Sequence, residues 1–179
     1  VPFCLDSHDT EEIIQAVKII APGFGGINLE DISAPRCFEI EERLKEMLDI
    51  PVFHDDQHGT AIVVLAGIIN GLRVTGKKKE DCRVVVNGAG SAGVAITKLL
   101  LTYGFKHVTM CDREGIIGKD YPNLNWMQKK MTEVTNLENA SGTLADALRG
   151  ADIFVGVSAP NIVTPEMVSS MNKDDILFA

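Results

Sequence analysis

Two adjacent carboxylates and two imidazoles stand between apolar segments in the first third of the chain. The segment is HDDQHGT, residues 54–60, and it separates an apolar run that ends at Phe53 from one that begins at Ala61. Adjacent carboxylates repel each other, so Asp55 and Asp56 cost stability unless water, a cation or hydrogen-bond donors compensate. The chemistry of the segment depends on which of these compensates.

A second acidic pair, Glu30 and Asp31, occupies the equivalent position after an earlier apolar run. If the two runs form neighbouring strands, the carboxylates converge at one end of a sheet. Mg²⁺ and Mn²⁺ prefer such oxygen ligands, and a bound cation would relieve the repulsion. The spacing alone fits a second interpretation equally well, in which Asp56 caps a helix that begins near Gly59 and the earlier pair is a solvated turn.

A glycine-rich turn further along the chain has the context of a dinucleotide-binding site. Gly88, Gly90 and Gly93 follow a β-branched run at residues 82–86 and open an apolar helical segment. Asp112 ends the next predicted strand, 19 residues after Gly93. In this motif the glycines permit the tight turn, the approach of a pyrophosphate and close helix packing, while the acidic residue binds the adenosine ribose. An ordinary glycine turn retained for packing is the alternative.

The residues predicted to contact the nucleotide are Gly88, Ala89, Gly90, Ser91, Ala92, Gly93, Asp112, Arg113 and Ser158. Asp112 favours NAD, because a carboxylate repels the 2′-phosphate of NADP. Arg113 beside it leaves NADP open. Ser158 follows a later strand of the same predicted sheet, where an ordinary loop is the alternative to a cofactor contact.

Hydrophobic periodicity indicates the elements that must hold these residues. In the first half of the chain, Asp9 is predicted to cap one helix and Ser33 to cap the next. The apolar face of the second helix comprises Cys37, Ile40, Leu44, Met47 and Leu48. Short strands are predicted at residues 24–29 and 51–53. Residues 60–74 are apolar nearly all round, which predicts a buried helix.

Strands and helices alternate in the second half of the chain. Strands are predicted at residues 82–86, 107–111 and 152–157, and another begins at residue 176. This alternation predicts an α/β fold, a Rossmann-type doubly wound parallel sheet, preceded by part of a second α/β domain that carries the acidic pairs. The predicted boundary gives one unit at residues 1–76 and another at residues 77–179.

The composition predicts a soluble globular protein and restricts its partners. The chain has 179 residues, 45% hydrophobic and 23% charged, and its net charge of −8 argues against a nucleic-acid groove or an anionic membrane surface. The longest unbroken apolar stretch, residues 61–69, is short for a membrane span. The four cysteines lack C-x-x-C spacing, which indicates unpaired thiols in a reducing cytoplasm. Because the chain starts without methionine and ends within a predicted strand, we expect it to be a fragment.

The sequence resembles the malic enzyme family in its shorter bacterial-type form. The resemblance rests on FGGINLED at residues 24–31 and FHDDQHGTA at residues 53–61, and the F-x-D-D-x-x-G-T pattern is its most specific part. It continues through VVVNGAGSAG, CDREG and GVSAP followed by TPEM, so it covers essentially the whole chain. It implies that residues 1–76 end a metal and substrate domain and that residues 77–179 are a truncated NAD(P)-binding domain.

The resemblance implies oxidative decarboxylation of malate to pyruvate and CO₂, with hydride transfer to NAD or NADP. It assigns Glu30, Asp31 and Asp56 to Mg²⁺ or Mn²⁺, and Asp55 to orienting the family's catalytic lysine. That lysine and the family's proton-transferring tyrosine would precede Val1, so the chain by itself is expected to be inactive. The complete protein is expected to be a homo-oligomer, a dimer or larger, with malate and pyruvate as its small-molecule partners.

Two other interpretations remain open. The chain fits a catalytically silent nucleotide-binding or regulatory domain, because the proton-transferring pair lies outside it. It also fits another two-domain dehydrogenase, such as an amino-acid dehydrogenase. The D-D-x-x-G-T pattern argues against the second, because those enzymes need no divalent metal.

Overall fold

Two sheets organise the chain, a parallel pair of short strands and a larger, mostly parallel sheet. The computed structural model describes residues 1–179. The helices are α1 (Thr10–Ile20), α2 (Arg36–Met47), α3 (Asp55–Thr75), α4 (Ser91–Tyr103), α5 (Trp126–Met131), α6 (Leu144–Leu148) and α7 (Pro165–Ser169). The strands are β1 (Ile27–Leu29), β2 (Val52–His54), β3 (Arg83–Asn87), β4 (His107–Asp112), β5 (Gly115–Ile116), β6 (Ile153–Gly156) and β7 (Ile176–Phe178). The predicted α/β class is confirmed.

The small sheet places the two acidic pairs side by side. Strands β1 and β2 are parallel, with Ile27 opposite Val52 and Leu29 opposite His54. Helices α1 and α2 cover this sheet, and their core contacts include Ile14, Ile40 and Leu44, which are fully buried. Because both strands run in the same direction, the acidic residues that follow them lie at the same edge of the sheet.

Two predictions about the helices of the first half have different outcomes. Asp9 caps α1 as predicted, since its side chain accepts a hydrogen bond from the Glu12 amide at 3.0 Å. The prediction that Ser33 caps α2 is wrong: Pro35 is the N-cap residue and no side chain caps the helix. The Ser33 hydroxyl instead accepts a hydrogen bond from the Arg36 guanidinium at 3.2 Å.

The apolar face of α2 is buried only in its first two and a half turns. Its buried members are Cys37, Ile40 and Leu44. Met47 is 46% exposed, contrary to the prediction, because α2 ends at this residue, at the margin of the small core.

Helix α3 is longer than predicted and is not buried all round. It begins at Asp55 rather than Thr60, and only Gln57, Ala61 and Ile68 along its length are buried. Ile62 and Val63 are 56% and 66% exposed. The prediction of a buried helix is therefore wrong for one face, because α3 packs on α4 and the large sheet through the other.

The composition of α3 also alters the expectation about membrane spans. By length and mean hydropathy alone, this 21-residue helix meets the requirement for crossing a membrane. A core helix of a soluble protein meets the same requirement, so the observation is weak evidence for a span.

The large sheet has the strand order β5-β4-β3-β6-β7. Its four longer strands are parallel, as predicted, while the two-residue β5 is an antiparallel edge strand that the sequence did not predict. The chain order reverses at β3, whose neighbours are β4 on one side and β6 on the other. Open α/β sheets bind their ligands outside the carboxyl ends of the strands at such a point.

The core of the large sheet extends into α3. Ala61 and Ile68 of α3 pack in the same cluster as Val84, Val86 and Ile153. The predicted boundary between residues 76 and 77 coincides with the end of α3, where Gly76 has a left-handed conformation. As a division between domains, the boundary stays a prediction.

The cysteines are unpaired, as predicted. Cys37, Cys82 and Cys111 are buried, and Cys4 is exposed. Burial raises the pKa of the Cys37 thiol to about 11 and that of Cys111 to about 12. The two thiols are therefore protonated packing groups at neutral pH.

Candidate functional site

The carboxyl edge of the small sheet brings two of the predicted metal ligands together. The backbone amide of Asp31 donates a hydrogen bond to Asp56 Oδ2 at 3.2 Å. Asp31 has a left-handed backbone with φ of 54°, which turns its amide toward the first turn of α3. Aspartate is among the residues that tolerate this conformation. The two acidic segments thus meet in space although 25 residues separate them.

Glu30, the third predicted ligand, is turned aside. Its carboxylate accepts a hydrogen bond from the Asn28 side-chain amide at 2.8 Å. No set of three or more His, Cys, Asp or Glu side chains is arranged to hold a metal ion. The donor type of Glu30, Asp31 and Asp56 fits a hard divalent cation, but the three carboxylates do not form a finished site, and their metal role stays a prediction.

Asp55 begins α3, and its side chain folds back over Gly59 one turn later. A Cβ atom on Gly59 would lie 2.1 Å from Asp55 Oδ1, so any larger residue would displace the carboxylate. Residues four apart lie on the same face of a helix, which accounts for the spacing of the glycine in the D-D-x-x-G pattern. Asp55 itself is exposed, and its predicted orientation of a lysine is untested.

His54 lies behind the acidic edge and is fully buried. Its Nε2 atom is 3.7 Å from Asp56 Oδ2, and neither ring nitrogen has a hydrogen-bond partner. Burial lowers the pKa of His54 despite the nearby carboxylates of Asp56 and Glu41. A buried imidazole without partners is costly, so this edge of the sheet contains polar groups that its own side chains do not satisfy.

A polar cluster attaches the first turn of α3 to α2. The buried carboxylate of Glu41 is 2.7 Å from His58 Nε2, 2.9 Å from the Lys45 ammonium and 3.4 Å from the Gln57 amide. The contacts of Glu41 with Gln57 and His58 tie α2 to the helical turn that begins with Asp55 and Asp56. Sequence reasoning did not identify Glu41, because nothing in its spacing distinguishes it from the exposed acids of α2.

Two cavities flank these contacts. One of about 310 Å³ lies between α2, α3 and α4 and is bordered by Glu41, His58 and Lys98. The other, of about 600 Å³, opens beside Glu30 and Asp31 and is lined mainly by residues 1–8 and 24–32, with three residues of α1. The second has the size of a small-molecule site and reaches the acidic edge.

The glycines of the turn after β3 have three different environments. Gly88 has φ of 119°, and a Cβ there would lie 2.7 Å from the Val157 carbonyl oxygen. A Cβ on Gly93 would lie 1.7 Å from the Gly88 carbonyl oxygen, so helix and turn are in direct contact there. Gly90 faces open space, with nothing within 4 Å of such an atom. The turn is therefore closed on its protein side and open where a ligand would approach.

The turn leads directly into the N-terminus of α4. Gly90 is the N-cap residue, and no side chain caps the helix, so no side chain of this chain occupies the first amides of α4, at Ser91 and Ala92. Free helix N-termini attract phosphate through these amides and the helix dipole. The arrangement fits a pyrophosphate, and Ala89, buried behind the turn, completes the predicted segment.

Asp112 is at the carboxyl end of β4, as predicted, beside the glycine turn. The Gly88 amide donates to the Cys111 carbonyl at 2.9 Å, which joins the turn to β4. Asp112 Oδ1 accepts a hydrogen bond from the Arg113 amide at 2.7 Å, and the Arg113 side chain is exposed. Both residues are therefore within the reach of a nucleotide that follows the turn toward β4.

Ser158 lies on the opposite side of the turn, just after β6. The buried side chain of Asn87 donates a hydrogen bond to Ser158 Oγ at 2.9 Å, and the Val157 amide donates to the Asn87 carbonyl at 2.9 Å. Sequence reasoning did not identify Asn87. The only signal was a polar residue at the end of a β-branched strand.

Comparisons with known proteins identify relatives along the whole chain. A family model described as "Malic enzyme, NAD binding domain" matches residues 57–176, and one described as "Malic enzyme, N-terminal domain" matches residues 6–45. The chain is 58% identical to the NAD-dependent malic enzyme of Geobacillus stearothermophilus, over 99% of this chain and 37% of that protein. It is 46% identical to the NADP-dependent malic enzyme of Haemophilus influenzae, over 98% of this chain and 23% of that protein.

A solved structure also has a closely similar fold. The crystal structure of the NAD-dependent malic enzyme of Thermotoga maritima matches with a TM-score of 0.97 and 50% identity, over 100% of this chain and 48% of that one. The chain thus spans less than half the length of each of these three relatives.

Proposed function

Because the chain belongs to the malic enzyme family, we propose that the whole protein oxidises malate and decarboxylates it to pyruvate and CO₂, with hydride transfer to NAD or NADP. The observation that carries the proposal is the position of α3. Its first turn holds Asp55 and Asp56 at the acidic edge, and its length packs against α4, which begins at the glycine turn. One rigid element therefore connects the two predicted sites.

We propose that Glu30, Asp31 and Asp56 hold Mg²⁺ or Mn²⁺. The support is their hard oxygen donors, the existing contact between Asp31 and Asp56, and the cavity beside them. When bound, the cation would acidify the C2 hydroxyl of malate and stabilise the enolate that decarboxylation leaves. To bind the cation, the Glu30 carboxylate would have to give up its hydrogen bond with Asn28 and turn toward Asp31 and Asp56.

Asp55 is proposed to position a lysine contributed by a part of the whole protein that precedes this chain. Its carboxylate is exposed and held over Gly59, so it is available to a cationic partner. Under the same proposal, the groups that transfer protons also belong to other parts of the whole protein. The isolated chain should therefore have little or no turnover.

NAD is proposed as the preferred cofactor, with NADP as the alternative. The support is Asp112 at the end of β4, where a carboxylate would bind ribose hydroxyls and repel a 2′-phosphate. The relatives include enzymes of both kinds. A cytoplasmic location, a homo-oligomeric state and the lack of nucleic-acid or membrane partners stay predictions from the sequence.

The test compares the whole protein with the isolated chain, in the presence of Mn²⁺ or Mg²⁺ and of NAD. The whole protein should convert malate to pyruvate, and Asp56→Asn should abolish most of this activity by weakening the metal. Loss of a positioned acid or base typically costs 10²–10⁴-fold in rate, so the isolated chain should be nearly inactive. Dinucleotide binding by the whole protein without turnover of malate would support the catalytically silent alternative instead.

A further inference from the structure

Asn87 and Ser158 join two strands at the point where the large sheet reverses its order. Asn87 is the last residue of β3 and is 4% exposed, whereas Ser158 follows β6 and is exposed. The Asn87 side-chain amide donates to Ser158 Oγ at 2.9 Å. The pair therefore links the carboxyl ends of β3 and β6.

The direction of this hydrogen bond determines what the Ser158 hydroxyl can still do. A hydroxyl has one donor and two acceptor positions, and a side-chain amide nitrogen only donates. Since Ser158 Oγ accepts from Asn87, its own proton remains available for an acceptor in the crevice. The exposed side of Ser158 is therefore a hydrogen-bond donor of fixed position.

The topology indicates which half of a dinucleotide this donor would meet. Asp112 ends β4, on one side of β3, and is the residue proposed for the adenosine ribose. The glycine turn after β3 is in the middle, at the proposed pyrophosphate position. Ser158 follows β6, on the other side of β3, so it faces the nicotinamide half of a cofactor that crosses the reversal point.

The geometry points to Asn87 as a positioning residue for the nicotinamide half of the cofactor: it holds the Ser158 hydroxyl so that its proton is donated to an oxygen of the nicotinamide carboxamide or of the attached ribose. This inference rests on the proposed function only in that the protein binds a nicotinamide dinucleotide. A role limited to packing would support the fold without distinguishing one half of the cofactor from the other.

The test measures dissociation constants of the whole protein for NAD and for ADP, which contains the adenosine and diphosphate but no nicotinamide. Loss of one neutral hydrogen bond should weaken NAD about fivefold in Ser158→Ala, with ADP unchanged. Asn87→Leu should weaken NAD by a similar factor and also leave ADP unchanged. The double variant should bind NAD no more weakly than Ser158→Ala does, because Asn87 acts through Ser158.

Two further variants separate positioning from structure. Ser158→Thr keeps the hydroxyl and should keep the NAD affinity of the unmodified protein. Asn70→Leu is the matched control, because Asn70 is exposed on α3 and bonds only the Ala66 carbonyl of its own helix. It should change neither constant. If Asn87→Leu does not fold, the variants Ser158→Ala and Ser158→Thr still test whether the Ser158 hydroxyl binds the nicotinamide half.

Several outcomes would overturn the inference. These are equal loss of NAD and ADP in Ser158→Ala, unchanged NAD affinity in that variant, or additive effects in the double variant. Binding of NAD with the predicted pattern but without malate turnover would reject the proposed reaction and leave the role of Asn87 supported. Failure of the unmodified protein to bind NAD or NADP would reject both the proposed reaction and the role of Asn87.

Discussion

In the first turn of α3, the fit of each residue depends on individual neighbouring atoms. Gly59 has no side chain where the Asp55 carboxylate lies, and the Asp31 amide reaches Asp56 because its backbone is left-handed. These contacts leave the two adjacent carboxylates with different surroundings. Asp56 has a hydrogen-bond donor from the segment after β1, and the Asp55 carboxylate lies over Gly59 on the helix surface.

Cofactor preference is a residue-scale prediction. Asp112→Ala should narrow the difference between NAD and NADP affinities, because it removes the proposed ribose hydrogen bonds and the repulsion of a 2′-phosphate. Calorimetric titration of both dinucleotides against the unmodified and substituted whole protein would measure this. Arg113→Ala is the companion variant, expected to weaken NADP only. Tighter binding of NADP than NAD by the unmodified protein would contradict the prediction.

At the scale of elements, the glycine turn is a junction of β3, α4 and the segment after β6. Its glycines serve separate purposes, since Gly88 and Gly93 permit protein contacts while Gly90 leaves room outside. The backbone carbonyl oxygens of Gly88 and Val157 cannot move aside as the end of a flexible side chain can. Stability and ligand binding should therefore respond to different glycines of the same motif.

Substitution of these glycines tests that separation. Gly93→Ala should destabilise the chain by several kcal/mol, of the order found for overpacked cores, about 1–3 or more, because its Cβ would overlap the Gly88 carbonyl. Gly90→Ala should leave the melting temperature nearly unchanged and weaken NAD, because its Cβ projects into open space. Thermal unfolding and NAD titration of both variants provide the comparison. Equal melting temperatures would contradict the assigned contacts.

A partly buried ion pair attaches the segment after α3 to the residue before β6. Asp152 accepts hydrogen bonds from the Lys77 ammonium at 2.8 Å, the Arg83 amide at 2.9 Å and the Asn172 amide at 3.1 Å. Burial raises the pKa of the Asp152 carboxyl, but these donors outweigh burial and hold the pKa below its ordinary value. The carboxylate therefore stabilises the fold above its ordinary pKa of 3.8, and this contribution is lost as the pH falls through the lower folded value.

Asp152→Asn should consequently have a pH-dependent effect on stability. At pH 7 the variant should lose about 1–3 kcal/mol, the cost of removing a charged hydrogen-bond partner. The difference from the unmodified chain should shrink as the pH falls below 3.8. Urea unfolding across this range measures it, with Asp120→Asn, at an exposed carboxylate, as control. A constant difference at every pH would mean that packing, and not the charge, explains the loss.

At the scale of the whole molecule, α3 belongs to both sites. Its first turn is at the acidic edge, while Ile68 is fully buried in the core of the large sheet. Because α3 also packs against α4, which begins at the glycine turn, this one helix links the two sites. The face that carries Ile62 and Val63 makes no such contact and is exposed.

Two isoleucines in α3 test its place in the large core. Ile68→Ala should cost about 2–5 kcal/mol in the free energy of unfolding, as expected for a large-to-small change in a core. Ile62→Ala, the same substitution at a residue that is 56% exposed, should cost no more than about 0.5 kcal/mol. Chemical unfolding of this chain measures both. Similar losses would show that the exposed face contributes as much as the buried one.

The sequence by itself determined the order along the chain of the longer strands of the large sheet, the α/β class and the glycine turn after β3. These features follow from local patterns: β-branched runs, glycine spacing and an acid at the end of the next strand. Asp9 and Thr143, whose side chains accept hydrogen bonds from backbone amides three residues later, show the same local control at helix starts. Local patterns failed where the deciding partner was distant in sequence.

Only the tertiary structure decided the surroundings of the chemical groups. It paired Asn87 with Ser158, separated by 71 residues, and joined Asp31 to Asp56 across 25. It exposed one face of α3 and buried Glu41 against the first turn of that helix. Burial and hydrogen-bond partners depend on which residues pack together. A pattern of residue types along the sequence does not specify which distant residues these will be.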